Sequence, residues 1–414
     1  MKPAKHQYTI LNQISKLIPQ HLVPKLARIY KVDKQARSFS PWSHVVSLLH
    51  SHLAHSLSLN DVSDTLRNHS SALKTIRGAT PPSRNGLSHA SRIRDPKMAE
   101  DLFWHVLSHI QERHPKFGYD HKYSGLPRRF RRAIYAVDST TIQLVANCMD
   151  WAKHRRRKAA AKCHMQLNLQ TFLPQFAIIK EAKRSDPAEA YELCANLKSG
   201  EIAVFDKAYV DFKHLYQLNH RGVFWVTRSK DNMQYRVVKK LSPPKANILG
   251  DHLIELKIQK TREMYPQKLR MVTANVEING KVKTMTFITN NMTWAPSSIC
   301  DLYRCRWGVE VFFKQIKQTL QLSDFLGHSR NAILWQVWTA LLAYVLIRFI
   351  SFLGKWKGSF RRLFTLLRGV LFSRLDAFSV MEGCGTARGS PRMVCRPEEA
   401  FLPGFEKVLR FTKG

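Results

Sequence analysis

Between residues 7 and 115 apolar positions recur every three to four residues, in YTILNQISKLI, PWSHVVSLLHSHLAHSLSLNDVSDTLRNH and DPKMAEDLFWHVLSHIQ. That spacing predicts amphipathic helices. Pro41 and the Asp95-Pro96 pair stand where helices start, since proline at a first helical position forfeits no hydrogen bond. RGATPPSRNGLSHASRIRD between them reads as a basic loop rich in Gly, Pro and Ser. Past about residue 128 the period shortens. An apolar run at 133 to 137 ends on Asp138, and CHMQLNLQT and QFAIIKEAK read as two further strands, the three forming an antiparallel meander around the basic turn WAKHRRRKAAAK. A helix opened by Ser185-Asp186-Pro187 follows. Then come a short apolar strand at 202 to 205 ending on Asp206, a helix starting near Asp211, and the strand GVFWVTRS.

Strand, strand, strand, helix, strand, helix, strand is the order of a ribonuclease H-like fold, which presents carboxylates at strand ends for divalent metals. YRVVKK, HLIELKI, KLRMVTANVEI and VKTMTFITN then add β-type runs, with Asn279-Gly280 as a hairpin signal. The expected fold class is therefore α/β: a ribonuclease H-like catalytic core interrupted by a β-rich insertion, with an N-terminal helical domain. The expected boundaries are 1–127 for the helical domain, whose place ahead of a basic core suggests DNA binding, with a scaffold or dimer contact as the alternatives, and 128–230 for the first part of the core. The insertion takes 231–284, the second part of the core 285–354, and a basic C-terminal region 355–414. The apolar run from Ala332 to Gly354 is interrupted by Gln336 and Arg348 and reads as a buried helix rather than a membrane span.

After the insertion, WAPSSICD opens a helix, with Ser298 and Asp301 at capping-box spacing. On that helix Tyr303, Arg306, Glu310 and Lys317 fall within a sector about 60° wide at 100° per residue. Leu302, Cys305, Val309, Phe312, Phe313, Ile316 and Leu320 occupy the neighbouring sector and seat it on a core. Charged residues at this spacing are also what an ordinary solvated face shows, so the face alone leaves both readings open. Asp138 has a bland alternative too, as the partner of a nearby Arg. A carboxylate ending a buried strand is costly unless paired or metal-bound.

Charge changes the picture. The 66 Lys and Arg against 30 Asp and Glu in 414 residues give a net +36, the field of a protein that binds a polyanion, for which nucleic acid is the commonest partner. Between 121 and 185 alone there are 14 Lys and Arg against Asp138, Asp150 and Glu181. The seven cysteines include no C-x2-C pair, which suits a reducing cytosol and speaks against a disulfide framework or zinc ribbon. The first residues lack the pattern of a signal peptide. His50, His52 and His55 fit no standard zinc spacing and read as ordinary helix histidines.

The string Y-x2-R-x3-E-x6-K, complete at Tyr303, Arg306, Glu310 and Lys317, resembles the signature of bacterial insertion-sequence DDE transposases of the type 4 family. The resemblance extends to AVDSTTIQL with Asp138, DWAKHRRRKAAAKCH, VFDKAYVDF with Asp206, FITNN, FLGHSRNAILWQVWTALLAYVL and the first 75 or so residues, covering roughly 6 to 350. It implies that Asp138, Asp206 and Glu310 are the catalytic, metal-binding carboxylates, holding two Mg²⁺ or Mn²⁺ ions. It implies further that Tyr303, Arg306 and Lys317 bind DNA. The partners are then transposon terminal inverted repeats and target DNA, met by a homodimer, with no membrane involved, in the bacterial cytoplasm at the nucleoid. One departure is Asp-Lys-Ala-Tyr at 206 to 209, where the family more often has Asp-Arg-Gly-Tyr, so the local turn is expected to differ. Trp294 and Trp307 are conceivable base-stacking residues, although ordinary packing is the expectation for both. Two alternatives stay beside the transposase reading: another ribonuclease H-like nuclease, and an inactive transposase-derived DNA-binding protein.

Overall fold

The computed structural model describes residues 3–34, 39–119, 130–144, 153–155, 158–181, 186–278, 281–320 and 325–384. The hairpin signal at Asn279-Gly280 and the chain beyond 384 lie outside them. Helical periodicity in the N-terminal third resolves into α1 (Ile10–Lys16), α2 (Leu22–Ile29), α3 (Pro41–Ala54), α4 (Leu59–Asn68), α5 (Ser70–Lys74), α6 (Arg84–Ile93) and α7 (Lys97–Arg113). Pro41 does open α3, where the Ser40 side chain accepts the Ser43 N–H, and Pro96 precedes α7. The expected basic loop is corrected in part. Ser83 caps α6, whose Leu87, Ala90 and Ser91 are buried, so a Gly- and Ser-rich composition concealed an amphipathic turn.

Next come β1 (Ile134–Leu144), β2 (Lys153–Arg155), β3 (Lys158–Asn168), β4 (Leu173–Glu181), α8 (Asp186–Leu193), β5 (Ile202–Phe205), a 3-10 turn at Lys207–Tyr209, α9 (Phe212–His220) and β6 (Phe224–Arg228). Strands β4, β3 and β1 form the antiparallel meander, and β1, β5 and β6 run parallel. This is the expected ribonuclease H-like order. All four residues of β5 are buried, as befits a central parallel strand covered on both faces.

The inserted strands β7 (Tyr235–Ser242), β8 (Ile248–Leu256), β9 (Leu269–Ile278) and β10 (Lys281–Thr289), with α10 (Gln259–Met264) between β8 and β9, do not stand apart. Strand β10 pairs antiparallel with β6, Thr289 opposite Val226, so the sheet continues β4-β3-β1-β5-β6-β10-β9-β8-β7. Inside the extension the buried Asp251 carboxylate accepts two bonds from Arg270, each 2.8 Å, and Arg270 also reaches the Trp294 carbonyl at 2.6 Å. The outermost strand, β7, is exposed along nearly its whole length and carries Arg236, Lys239 and Lys240, charges that discourage edge-to-edge pairing.

Helices α11 (Pro296–Cys305), α12 (Trp307–Thr319), α13 (Arg330–Leu353), α14 (Phe360–Gly369) and α15 (Ala377–Cys384) complete the described chain. Every residue of α13 from 332 to 350 is buried. It is the one helix among the described residues long and apolar enough to cross a membrane, and 89% of its apolar window lies inside the protein. It packs on α3, α6 and α7 on one side, and Tyr344 and Arg348 donate to the carbonyls of Phe172 and Thr171 beside the sheet on the other. The N-terminal helices and the sheet thus share one apolar core. The start of the C-terminal region joins it as well: Phe360, Leu363, Phe364 and Leu367 are buried, and the chain at 371 to 376 hydrogen-bonds residues 4 to 11.

Candidate functional site

The parallel pairing of β1 with β5 ends with Val137 opposite Phe205, which brings the next residues, Asp138 and Asp206, side by side; β1 itself runs on to Leu144 along β3, so Asp138 lies inside its strand and not at the strand end expected from the apolar run. Asp206 ends β5 by capping the 3-10 turn, its Oδ2 accepting the Ala208 N–H at 3.3 Å. Neither Lys207 nor Ala208 takes a positive φ. This turn therefore needs no glycine, and the Asp-Lys-Ala-Tyr departure is accommodated. Behind it the Tyr209 hydroxyl and His164 Nδ1 are 3.0 Å apart, a buried pair the sequence reading missed.

The predicted single helix carrying Tyr303 to Lys317 is broken. Helix α11 starts at Pro296 with no side-chain cap, and Ser298 is buried, so the capping box expected from Ser298 and Asp301 does not form. At Arg306 the ladder tightens to three-residue steps, Arg306 N–H to the Tyr303 carbonyl and Val309 N–H to the Arg306 carbonyl, and α12 begins. The expected apolar back holds: Leu302, Cys305, Val309, Phe312, Phe313, Ile316 and Leu320 are all buried.

The front converges on the two aspartates. Tyr303 donates its hydroxyl to Asp206 Oδ1 at 3.3 Å. Arg306, with its side chain 11% exposed, bonds Asp138 through Nη1 and Glu310 Oε1 through Nη2, the latter at 2.7 Å. Its guanidinium also lies 5.4 Å from the centre of the Tyr303 ring. Lys317 stands further along α12 and donates to the Thr141 carbonyl of β1 at 2.6 Å. Arg306 is thus turned inward onto carboxylates rather than outward, and Glu310 is linked to Asp138 through it.

Electrostatics follow from this burial. Removal from water pushes the Asp138 carboxyl up to about 6; Arg306 and the Ser139 N–H pull the other way, while Asp206 and Glu310 add to the rise. Burial disfavours the Arg306 cation, but Asp138, Tyr303, Glu310 and Asp206 more than reverse this and raise it. Burial first, with Asp206 adding and Arg306 opposing, raises the Tyr303 phenol. Asp138, Asp206 and Glu310 offer carboxylate oxygens, the donors that hard divalent cations take. In this arrangement the guanidinium spans the distance from Asp138 to Glu310, and among the described residues no three His, Cys, Asp or Glu side chains are close enough to share an ion. Arg306 supplies the positive charge between Asp138 and Glu310.

Beside Asp206 opens a groove of about 960 Å³ between β6, β9, β10 and α11, lined by Arg228, Lys230, Lys283, Tyr303, Arg304 and Trp307 among others. Trp307 is 53% exposed there, contrary to the expected packing. Trp294 does pack, against Phe130 and Phe224.

Asp138 and Asp206 on adjacent parallel strands, with Glu310 on a returning helix, lie within the segment that the family comparison matches. The profile of the transposase DDE domain fits residues 129–346, more than half of the chain. The chain belongs to the DDE transposases. Their members generally use divalent metal ions and act on DNA. Residues 6–76 match a second profile, a domain of unknown function (DUF4372). A Sinorhizobium fredii protein named as a transposase is 28% identical over 277 residues, 66% of this chain and 76% of its own length. A Geobacillus stearothermophilus protein named as a transposase for insertion sequence element IS5377 is 28% identical over 54% of this chain and 58% of its own. The transposase InsG of insertion sequence element IS4 from Escherichia coli is 30% identical over 44% of this chain and 42% of its own. This DDE transposase therefore spans three quarters of the first relative and about half of the other two.

Proposed function

We propose that this DDE transposase cuts DNA at the terminal inverted repeats of an insertion sequence and transfers the freed 3′-hydroxyl ends into target DNA. Asp138, Asp206 and Glu310 are the catalytic carboxylates and hold two Mg²⁺ or Mn²⁺ ions. When bound, such ions polarise the nucleophile, stabilise the leaving oxygen and neutralise charge at phosphorus. The observation that best supports this reading is the β1–β5 register, which sets Asp138 beside Asp206, together with Glu310 tied to Asp138 through Arg306.

The chain's own groups divide the remaining work. Asp138, half of whose charge is lost near pH 6 by burial, offers a carboxylate at neutral pH. Tyr303 holds Asp206 in orientation by its hydrogen bond. Arg306 turns from the carboxylates to phosphate oxygens of the terminal strand, as a planar fork suited to two oxygens. Lys317 meets phosphate as a point charge, and the cationic groove beside Asp206 receives the strand, with Trp307 as a stacking face. Two ends must be joined, so the working form is a homodimer on DNA, acting in the bacterial cytoplasm on the nucleoid. The domains divide as 1–127, 128–230, 231–284, 285–354 and 355–414, with DNA-end recognition assigned to the first.

The test is incubation of the protein in Mg²⁺ with DNA carrying the element's own terminal repeats, with DNA of equal length lacking them, and with an RNA–DNA hybrid. Cleavage and joining confined to the repeat DNA is the expected result. Equal cutting of all three would replace the transposase reading with that of a general ribonuclease H-like nuclease.

A further inference from the structure

The last turn of any helix leaves carbonyls without partners in the helix itself. At the end of α12 two successive ones are taken by the N-terminal domain. His52 Nδ1 lies 3.1 Å from the Leu320 carbonyl, and His55 Nε2 lies 2.6 Å from the Thr319 carbonyl. A carbonyl only accepts, so the facing nitrogen of each ring carries the hydrogen. Burial lowers His52 to about 4 and lowers His55 as well, so both rings are neutral at physiological pH and their tautomers are set by these bonds. The other nitrogen of His55 accepts from Arg368 Nη1 of α14 at 2.8 Å, and the Phe364 ring stacks on His55 at 4.9 Å.

The backbone supplies an independent sign that this geometry is specified. His55 ends α3 in the left-handed region, φ 59 and ψ 48, where a non-glycine residue is strained. The strained conformation turns the side chain of the cap residue onto the end of a different helix. Neither histidine belongs to any metal cluster among the described residues. Glu310 lies one continuous helix upstream of these carbonyls, about 14 Å at 1.5 Å per residue. Axial or rotational drift at the Thr319 end therefore reaches Glu310 with little loss, because the tightened turn at Arg306 is the next point where the helix can give.

We propose that His52 and His55 are positioning residues that fix α12, and with it Glu310, from the N-terminal domain, so that the 6–76 segment serves the reaction centre directly. The inference rests on Glu310 being a catalytic carboxylate. Residues 41 to 55 thereby act as a bracket on the catalytic helix, and Arg368 closes the bracket from the far side.

Side-chain amides separate this from mere filling of space, since Asn places a donor near the imidazole Nδ1 position and Gln near Nε2. His52→Asn with His55→Gln keeps both donors; His52→Gln with His55→Asn removes both at similar size and polarity. Measured at saturating repeat DNA and Mg²⁺, joining by the donor-removing pair should fall about tenfold or more, as misplacement of a catalytic group does. The donor-keeping pair should stay within about threefold of wild type, the scale of one weakened hydrogen bond. The dissociation constant for DNA should be unchanged in both pairs, and backbone amide exchange in the last turn of α12 should quicken only in the donor-removing pair. Arg368→Met, an exposed change that spares folding, should lower turnover in the same direction by a smaller factor. Equal losses in the two double variants, or wild-type turnover in both the donor-removing pair and Arg368→Met, would overturn the proposal. Glu310→Gln is run alongside: joining by that variant would remove Glu310 from catalysis, whereas unchanged amide exchange in the donor-removing pair would remove the bracket.

Discussion

Replacing Arg306 by Met keeps the apolar stem and deletes the cation between Asp138 and Glu310. Removing one partner of a buried ion pair costs about 3–5 kcal/mol because the other charge is left without a partner. Here Arg306 and Asp138 are 11% and 15% exposed, which points to the lower end, while the Glu310 pair, 39% exposed on its acidic side, adds little. Some desolvation cost of the guanidinium is recovered, so the metal-free variant should lose about 2–3 kcal/mol. With an unfolding entropy of about 2 cal/mol/K per residue over 414 residues, this is a fall of about 3 °C in the melting temperature for a single cooperative transition. A divalent ion neutralises the same carboxylates, so in saturating Mg²⁺ the deficit should shrink to about 1 kcal/mol or less. By linkage the variant should then bind Mg²⁺ tighter than wild type, by roughly tenfold or more for a coupling of about 1.4 kcal/mol. Thermal melts with and without Mg²⁺, and calorimetric Mg²⁺ titration, read both quantities. The same deficit in both melts, or weaker Mg²⁺ binding by the variant, would refute the view that Arg306 stands where the metal charge belongs.

Three further outcomes follow from single side chains. Asp138 is raised above its unfolded value, so its contribution to metal-free stability is complete below about pH 4 and is lost as pH rises through about 6; the stability gap between wild type and Asp138→Asn should narrow or reverse over that window, and the half-saturating Mg²⁺ concentration should fall over the same window. Lys317→Gln should weaken binding to repeat and unrelated DNA alike and reduce the slope of log affinity against log salt by about 0.9, read by fluorescence anisotropy at several salt concentrations. Arg270→Met leaves the fully buried Asp251 with only its Ser242 bond and should cost about 3–5 kcal/mol in urea denaturation, whereas Arg236→Met, at an exposed pair, should leave the denaturation midpoint nearly unchanged.

Much of this was legible in the sequence because the two central parallel strands open with short apolar runs that lead directly to Asp138 and Asp206. Residues 202 to 205 form a strand that ends on Asp206, whereas the strand begun by the apolar run at 134 to 137 continues through Asp138 to Leu144, because pairing with β3 goes on after pairing with β5 stops; the strand and helix order then allows few topologies. Periodicity says that a segment is a strand but not which strand it joins. The pairing of β10 with β6 links segments about 60 residues apart in the chain, and so the extension of the central sheet could not be read from 231–284. Residue composition misled at α6, where Pro81, Pro82 and Gly86 suggested a loop while Leu87 and Ala90 supplied the buried face. Ser298 has cap spacing, but Pro296 starts the helix two residues earlier and places it inside. For Arg306, spacing fixed the face and not the partner: a guanidinium beside carboxylates serves a phosphate or a buried Asp equally well until Asp138 is known to lie within reach. His52 and His55 carried no motif at all, because their partners are backbone carbonyls more than 260 residues away.

In the proposed function Asp138, Asp206 and Glu310 work as one metal-dependent centre on DNA. Asp138→Asn, Asp206→Asn and Glu310→Gln, each assayed in Mg²⁺ for joining of repeat DNA and separately for binding to it, test this most directly. Each variant should abolish joining, with binding held within a few-fold of wild type, because each would remove a ligand of the same metal centre. Joining at the wild-type rate by any one of the three, with the other two inactive, would contradict a three-carboxylate centre.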